Sequence, residues 1–340
     1  MKKLFFILKL VLTLSLLAWV IHSAGITSKE GFNEFLDEIK NANIKYVIAA
    51  FLIIPVMDFV CTIKWYFMVR AKDIVIGFWR LMGFYIVGRF FNLILPSSIG
   101  GDLIRIHFLG RHSNRYADAA AIVFLERLTG LFTLIFYVFI ALFIVSKKFS
   151  SDWLFIGVVV AFVGLLFLMW VLLNEHIFLL LRNFVCRMIP SANKIFIKLE
   201  KMRKSIHDLS KNKSVMVYAF INSCLFYIAA VINAWVTLLV FNADVSFETM
   251  LLAVPIIMFI MNIPVSIGNI GIMEFAHVFV LTRFGVSGVD ALSLALLMRI
   301  KMFVSAGFGG LLYIFLSPSI GSREQIESRL EELEETKQES

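Results

Sequence analysis

The sequence predicts an all-α polytopic membrane protein: about six full crossings plus two re-entrant helical hairpins arranged as an inverted repeat, about eight hydrophobic segments in all. Three observations carry that expectation. The 340 residues are 60% hydrophobic, 35 of them Phe, and only 16% are charged; soluble domains are nearer one half apolar and one quarter charged. Mean hydropathy is +0.88, and several apolar runs approach or exceed the ~20 residues of a membrane crossing. Two of these runs are broken by the same Pro-x-Ser-x-Gly pattern, beginning at Pro96 and at Pro264.

The elements follow in order. Lys9 interrupts the first apolar run, and His22-Ser23-Ala24 is a poor signal-peptidase site, so a retained helix is expected over 4–22. Residues 27–43 place Phe32, Phe35, Leu36 and Ile39 at helical spacing among charges, the pattern of an interfacial helix. A crossing at 44–63 is followed by Lys64, Arg70 and Lys72, read as a cytoplasmic loop.

The next run, from Phe78 to Pro96, poses a choice. A full outward crossing would leave Arg105, His107, Arg111, His112 and Arg115 outside, against the positive-inside bias. A hairpin over 78–113, turning at Pro96–Gly101, keeps them inside. Proline interrupts a helix and glycine tolerates open backbone geometry, which suits a turn. A full crossing with a Pro-kinked end is the alternative.

Crossings are expected at 118–146 and 153–173. Residues 175–214 hold nine basic residues against Glu175, Glu200 and Asp208, and read as amphipathic cytoplasmic helices on anionic lipid. Residues 215–241 cross outward, 249–263 enter, 272–284 return and 288–316 cross inward. The tail after Gly321, with seven Glu and three basic residues, reads as a charged helix or disordered end. The expected organisation is one transmembrane domain over 1–317 and an acidic cytoplasmic tail over 318–340, with both termini cytoplasmic. The formal charge of +8 is then a topology signal, and no nucleic-acid partner is expected.

The internal repeat rests on two matches in the same order. Asn92-Leu-Ile-Leu-Pro96-Ser97-Ser98-Ile-Gly100-Gly101 lines up with Asn262-Ile-Pro264-Val-Ser266-Ile-Gly268-Asn269. Asp118-Ala119 precedes Arg127 at the spacing by which Asp290-Ala291 precedes Arg299. Helix, hairpin, helix units of opposite orientation result, over 44–146 and 215–316. Broken helices at the midplane of inverted repeats form the binding sites of many secondary transporters.

The ionisable residues in or beside these runs are Arg89, Asp102, Arg105, Glu126, Arg127, Glu274, Arg299 and Lys301. Charges at membrane depth are expensive and mark function or buried pairing. Arginine suits phosphate because its fork stays charged and bonds bidentately. Ser97, Ser98, Ser266 and the hairpin glycines add hydroxyl and N–H donors. Glu126 or Glu274 holding helices together is the structural alternative. No metal site or cofactor is expected: Cys61, Cys186 and Cys224 are far apart, and His107, His112 and His277 read as packing or interfacial residues. No P-loop, nucleophile elbow or His-Glu-x-x-His motif occurs, and a catalytic role is not expected.

Asn92-x-x-x-Pro96-Ser97-Ser98-Ile99-Gly100-Gly101-Asp102-x-x-Arg105, followed by Ala120-Ala121-x-x-x-x-Glu126-Arg127-x-x-Gly130, resembles the lysylphosphatidylglycerol synthase transmembrane-domain family. This is the flippase-like membrane portion of the bacterial multiple peptide resistance factor and its stand-alone relatives. Pro264-x-Ser266-x-Gly268-x-x-Gly271-x-x-Glu274 looks like the family's second motif, with Asn269 where a second glycine is expected. The resemblance spans residues 10–316. It implies an inner-membrane protein that moves a lipid between leaflets. No counterpart of the two-domain relatives' soluble transferase is expected here, so synthase activity is not carried over.

The resulting expectation is a flippase for a phospho- or polyprenyl-phosphate lipid. Its ligand is a membrane lipid with an anionic head group, and a separate glycosyl- or aminoacyl-transferase is a candidate partner. Arg105, Arg127 and Arg299 would attract phosphate, with Glu126 and Glu274 as counter-charges or proton-coupling groups. The rivals are an accessory subunit that positions lipid for a separate transferase, and a membrane enzyme acting on lipid phosphate.

Overall fold

The structure is a computed structural model. It describes residues 2–94, 100–145, 174–188, 193–263 and 269–319, with 156–157, 159–160, 162–164, 166–167 and 170. Pro96, Ser97, Ser98, Pro264, Ser266, Gly268, most of the crossing expected at 153–173, and the tail from 320 lie outside the described residues.

The described secondary structure is helical throughout. The first helices are α1 (Lys2–Ser23), α2 (Lys29–Lys40), α3 (Ile44–Arg70), α4 (Phe78–Ile94), α5 (Gly100–Ser113) and α6 (Tyr116–Val145). They are followed by α7 (Glu175–Met188), α8 (Asn193–Lys211), α9 (Lys213–Leu239), α10 (Phe247–Met261), α11 (Ile272–Arg283) and α12 (Gly288–Ser319). Among the described residues, α3, α6, α9 and α12 contain stretches long and apolar enough to cross a membrane. The protein is an all-α membrane protein. The pairs α4–α5 and α10–α11 are shorter, and each pair packs on itself as a hairpin.

Packing repeats between the two halves. In the first, α3 packs on α4, α4 on α5 and α5 on α6; in the second, α9 packs on α10, α10 on α11 and α11 on α12. The halves also interlock. Helix α4 packs on α12, and α10 packs on α6, so each hairpin leans on the closing helix of the other half. Glycine permits the first of these contacts: a Cβ on Gly309 would fall 2.5 Å from the Ile86 carbonyl oxygen.

The halves join along α3 and α9, which run antiparallel. The Asn43 amide at the start of α3 donates to the Val240 carbonyl just past α9 (2.8 Å). Phe67 near the end of α3 stacks on Tyr218 near the start of α9, with centroids 5.4 Å apart.

Both ends of the first hairpin meet at one end of the bundle. His112 lies 3.1 Å from the Val75 carbonyl, and Arg115 donates to the Lys72 carbonyl at 2.7 Å. Arg70 and Arg111 sit in the last turns of α3 and α5 at that end, and Lys72 there pairs with Asp118 and Asp208. The other end carries α2, the Asn242–Asn41 contact and the start of α12, with Glu34, Asp37, Asp244 and Glu248.

One sequence expectation changes. Lys64 belongs to no loop: α3 continues to Arg70, and Lys64 is 8% exposed inside the bundle. The last turns of α8 pack on protein, whereas Ile197 and Leu199 in its first half stay exposed. Ile206 and Leu209 are buried against the first half's core, and Ser205 donates to Asp118 at 2.5 Å.

Helix α2 begins at the cap Ser28, whose hydroxyl accepts from the Gly31 amide. It is tied to α12 by Ser293 donating to Glu38 at 2.5 Å. Burial, with Asp290 and Glu34 nearby, pushes the Glu38 carboxyl up from 4.5 to about 7, against the lowering effect of the Ser293 bond. The folded state therefore holds a proton that the unfolded chain has lost between these values. This contribution to stability is full below about 4.5 and falls as pH rises through about 7. Thermal midpoints of wild type minus Glu38→Gln are expected to decline over that window and level off above it. A pH-independent difference would contradict the protonated contact.

Candidate functional site

The short helices after the two breaks each place a carboxylate third in line: Asp102 in α5 and Glu274 in α11. Each meets an arginine 25 residues later on the closing helix. Arg127 grips Asp102 with Nε to Oδ2 and Nη2 to Oδ1, both at 2.9 Å. Arg299 grips Glu274 with Nε to Oε1 and Nη2 to Oε2, both at 2.9 Å. Two-point arginine–carboxylate contact fixes orientation as well as charge. Arg127 stands as far into α6 as Arg299 does into α12, about three turns or ~16 Å. That is roughly half of a ~30 Å hydrocarbon core.

The two clamps differ in surroundings. In the first, Asp102 Oδ1 also accepts from Arg105 at 2.6 Å, and Arg105 donates to Glu126 at 2.7 Å. The Arg105 guanidinium lies 5.1 Å from the Trp65 ring centroid and 4.9 Å from that of Tyr85, at cation–π distance. Arg105 is thus enclosed, whereas the Arg127 side chain is 54% exposed. Lys64 donates to the Glu126 carbonyl at 3.2 Å and to Ser223 at 3.1 Å, joining α3, α6 and α9. Asn92 accepts from the Gly101 amide at 2.7 Å, across the hairpin mouth.

In the second clamp the backbone takes part. Arg299 also donates to the Asn269 carbonyl at 2.8 Å, and Glu274 accepts from the Gly271 amide at 2.8 Å. Asn269 has φ +59° and Gly271 φ +85°. Asparagine is among the non-glycine residues that best tolerate that region, which explains its place where a glycine is expected. Gly271 lies against α1: an added Cβ would meet the Thr13 carbonyl oxygen at 3.0 Å. His277 is buried, with Nδ1 2.7 Å from the Met273 carbonyl, as expected for a packing residue.

Arg89 does not join the Asp102 clamp. It forms an ion pair with Asp58 on α3. The pair lines a 260 Å³ cavity between the halves, bounded by α3, α4, α9 and α12, and Lys301 lines it too. Asp58 and Lys64 escaped sequence reading, the first as a lone acid in an apolar run and the second as a loop residue. A larger 440 Å³ cavity, almost wholly apolar, lies beside the first clamp against Leu125, Leu128, Phe132, Ile206 and Phe220. Among the described residues, no group of three or more His, Cys, Asp or Glu side chains could hold a metal ion.

The model for the lysylphosphatidylglycerol synthase TM region matches residues 6–309. The chain belongs to this family. Like other members, it is a multi-span membrane protein with a lipid-related membrane setting. It is 25% identical over 277 residues to a UPF0104 membrane protein of Methanothermobacter thermautotrophicus, covering 76% of this chain and 81% of that one. It is 22% identical over 341 residues to a UPF0104 membrane protein of Pyrococcus horikoshii, covering 92% and 96%. No solved structure matches. The family match spans both clamps and the cavity between them.

Proposed function

We propose that this family member is a flippase that carries a phosphate-bearing lipid across the cytoplasmic membrane between two inverted halves. The observation that carries the reading is the duplicated clamp: one acid–arginine pair per half, at equal spacing and comparable depth. Antiparallel α3 and α9, and hairpins returning to opposite ends of the bundle, support inversion. Six crossings plus two re-entrant hairpins then place the basic end and both termini in the cytoplasm. The exposed Arg127 fork provides a landing point for phosphate, and the apolar cavity beside it suits a hydrocarbon chain. Breaking one clamp while keeping the other would open the site to one face at a time. Arg105, enclosed by carboxylates and rings, acts in this scheme as a support rather than a phosphate contact.

The test is translocation in proteoliposomes, using labelled phospholipids and polyprenyl phosphates. Arg127→Ala and Arg299→Ala are each expected to slow movement about tenfold or more, the ~1.4 kcal/mol scale of one charge-assisted contact. Absence of movement of every lipid by folded protein would overturn the carrier and favour an accessory subunit for a separate transferase. Inversion has its own check. With Cys61, Cys186 and Cys224 replaced, single cysteines at Arg111 and Ser287 are expected to react with impermeant reagent from opposite sides. Labelling from one side would rule inversion out.

A further inference from the structure

The cavity between the halves belongs to neither clamp, and its charges do not balance. Arg89 and Lys301 contribute two positive charges and Asp58 one negative. Lys301 is 2% exposed, and the partners its ammonium meets are neutral: Asn233 Oδ1 and Thr237 Oγ1, each at 2.7 Å. The Thr237 hydroxyl proton is committed to the Asn233 carbonyl, so its oxygen accepts from Lys301. An ammonium has three donors, and these contacts use two. Arg89, which also lines the cavity, has its Nε buried with no acceptor. A buried unmatched charge and a buried unmet donor are both costly, and one anionic oxygen group answers both.

From this geometry we infer that the cavity is a second head-group site, beyond the Arg127 landing point, for a lipid carrying a single-charge phosphodiester that meets Arg89 and Lys301. The inference rests on the carrier reading and names its ligand class. One surplus positive charge matches a monoanion; a pyrophosphate would bring at least one uncompensated negative charge into the bundle. At 260 Å³ the space falls below the ~300 Å³ at which pockets begin to enclose whole drug-sized molecules. It takes a head group and leaves the hydrocarbon chains outside. Asp58 and Lys301 both lie well inside long membrane helices, which favours a lipid over a soluble phosphate. Binding would draw Arg89 from Asp58 towards the phosphate, so Asp58 acts as the stand-in anion of the empty site.

Equilibrium binding to the purified full chain tests this independently of transport. The probes are dihexanoylphosphatidylglycerol, geranyl pyrophosphate and dimethyl phosphate. The phosphatidylglycerol is expected to bind at least about tenfold more tightly than either other probe. Lys301→Met and Arg89→Gln should each weaken it by about tenfold or more, Lys301→Arg should restore most of the affinity, and Glu38→Gln should leave it unchanged. Ser305→Phe, which fills the cavity but keeps every charge, should also abolish binding, so the test does not depend on the folding of the charge variants. Wild-type affinity in folded Ser305→Phe and Arg89→Gln would overturn the site. Tighter pyrophosphate binding would overturn the charge match, and equal dimethyl phosphate binding would overturn the lipid source. Binding with these dependences but no translocation would sink the carrier reading and leave the site standing.

Discussion

Asp102→Ala is expected to be among the most damaging single substitutions in this protein. One side chain satisfies two guanidinium groups: Arg105 through Oδ1, and Arg127 through both oxygens. Removing one partner of a buried pair costs about 3–5 kcal/mol, because the other charge is left unmatched where water cannot reach it. Arg105 is 4% exposed and keeps only Glu126 as its anion. Arg127 is half exposed and recovers solvation, so Arg127→Ala should cost nearer the ~1 kcal/mol of an accessible pair. Thermal unfolding in detergent should therefore rank Asp102→Ala well below Arg127→Ala. Translocation should fall in both. Equal midpoints for the two variants would mean that Asp102 does not hold Arg105.

Gly101→Ala is the second large effect. A Cβ there would lie 2.0 Å from the Gly88 carbonyl oxygen and 2.7 Å from the Asn92 side chain. The first obstacle is backbone, so α4 and α5 must move apart and the Asn92–Gly101 hydrogen bond must lengthen. Overpacking of this kind costs about 1–3 kcal/mol or more. Gly307→Ala is the matched control, because nothing lies within 4 Å of its added methyl. There the change should be neutral or stabilising by up to ~1 kcal/mol from helix propensity. Opposite shifts in the two midpoints are expected. A harmless Gly101→Ala would show that the hairpin is not crossed as closely as described.

Much of this architecture was legible because the membrane imposes simple demands. Apolar length marked α3, α6, α9 and α12, and the basic loop argument anticipated that 78–113 returns to its starting end. The clamps were half visible. Asp102, Arg127, Glu274 and Arg299 stood out as charges in apolar surroundings, but their pairing depends on which face of a short helix meets its neighbour. The shared 25-residue separation was a usable signal that the Asp118–Arg127 and Asp290–Arg299 match only approached. Lys64 was lost because charge was taken as the end of a crossing, whereas the Glu126 carbonyl and Ser223 accommodate it inside the bundle. The Asp58–Arg89 pair joins two helices at no regular spacing, so only the fold reveals it.

The interlocking of the halves has a consequence for biogenesis. Helix α4 finds its partner surface on α12, near the far end of the chain, where Gly309 meets Ile86 and Gly310 meets the Phe90 ring. A ribosome delivers that surface only after some two hundred further residues, ~10–40 s at 5–20 residues per second. Throughout that interval the first hairpin and its charges sit in the bilayer without their final neighbour. The amino-terminal half is thus expected to stay incompletely packed until α12 has been made.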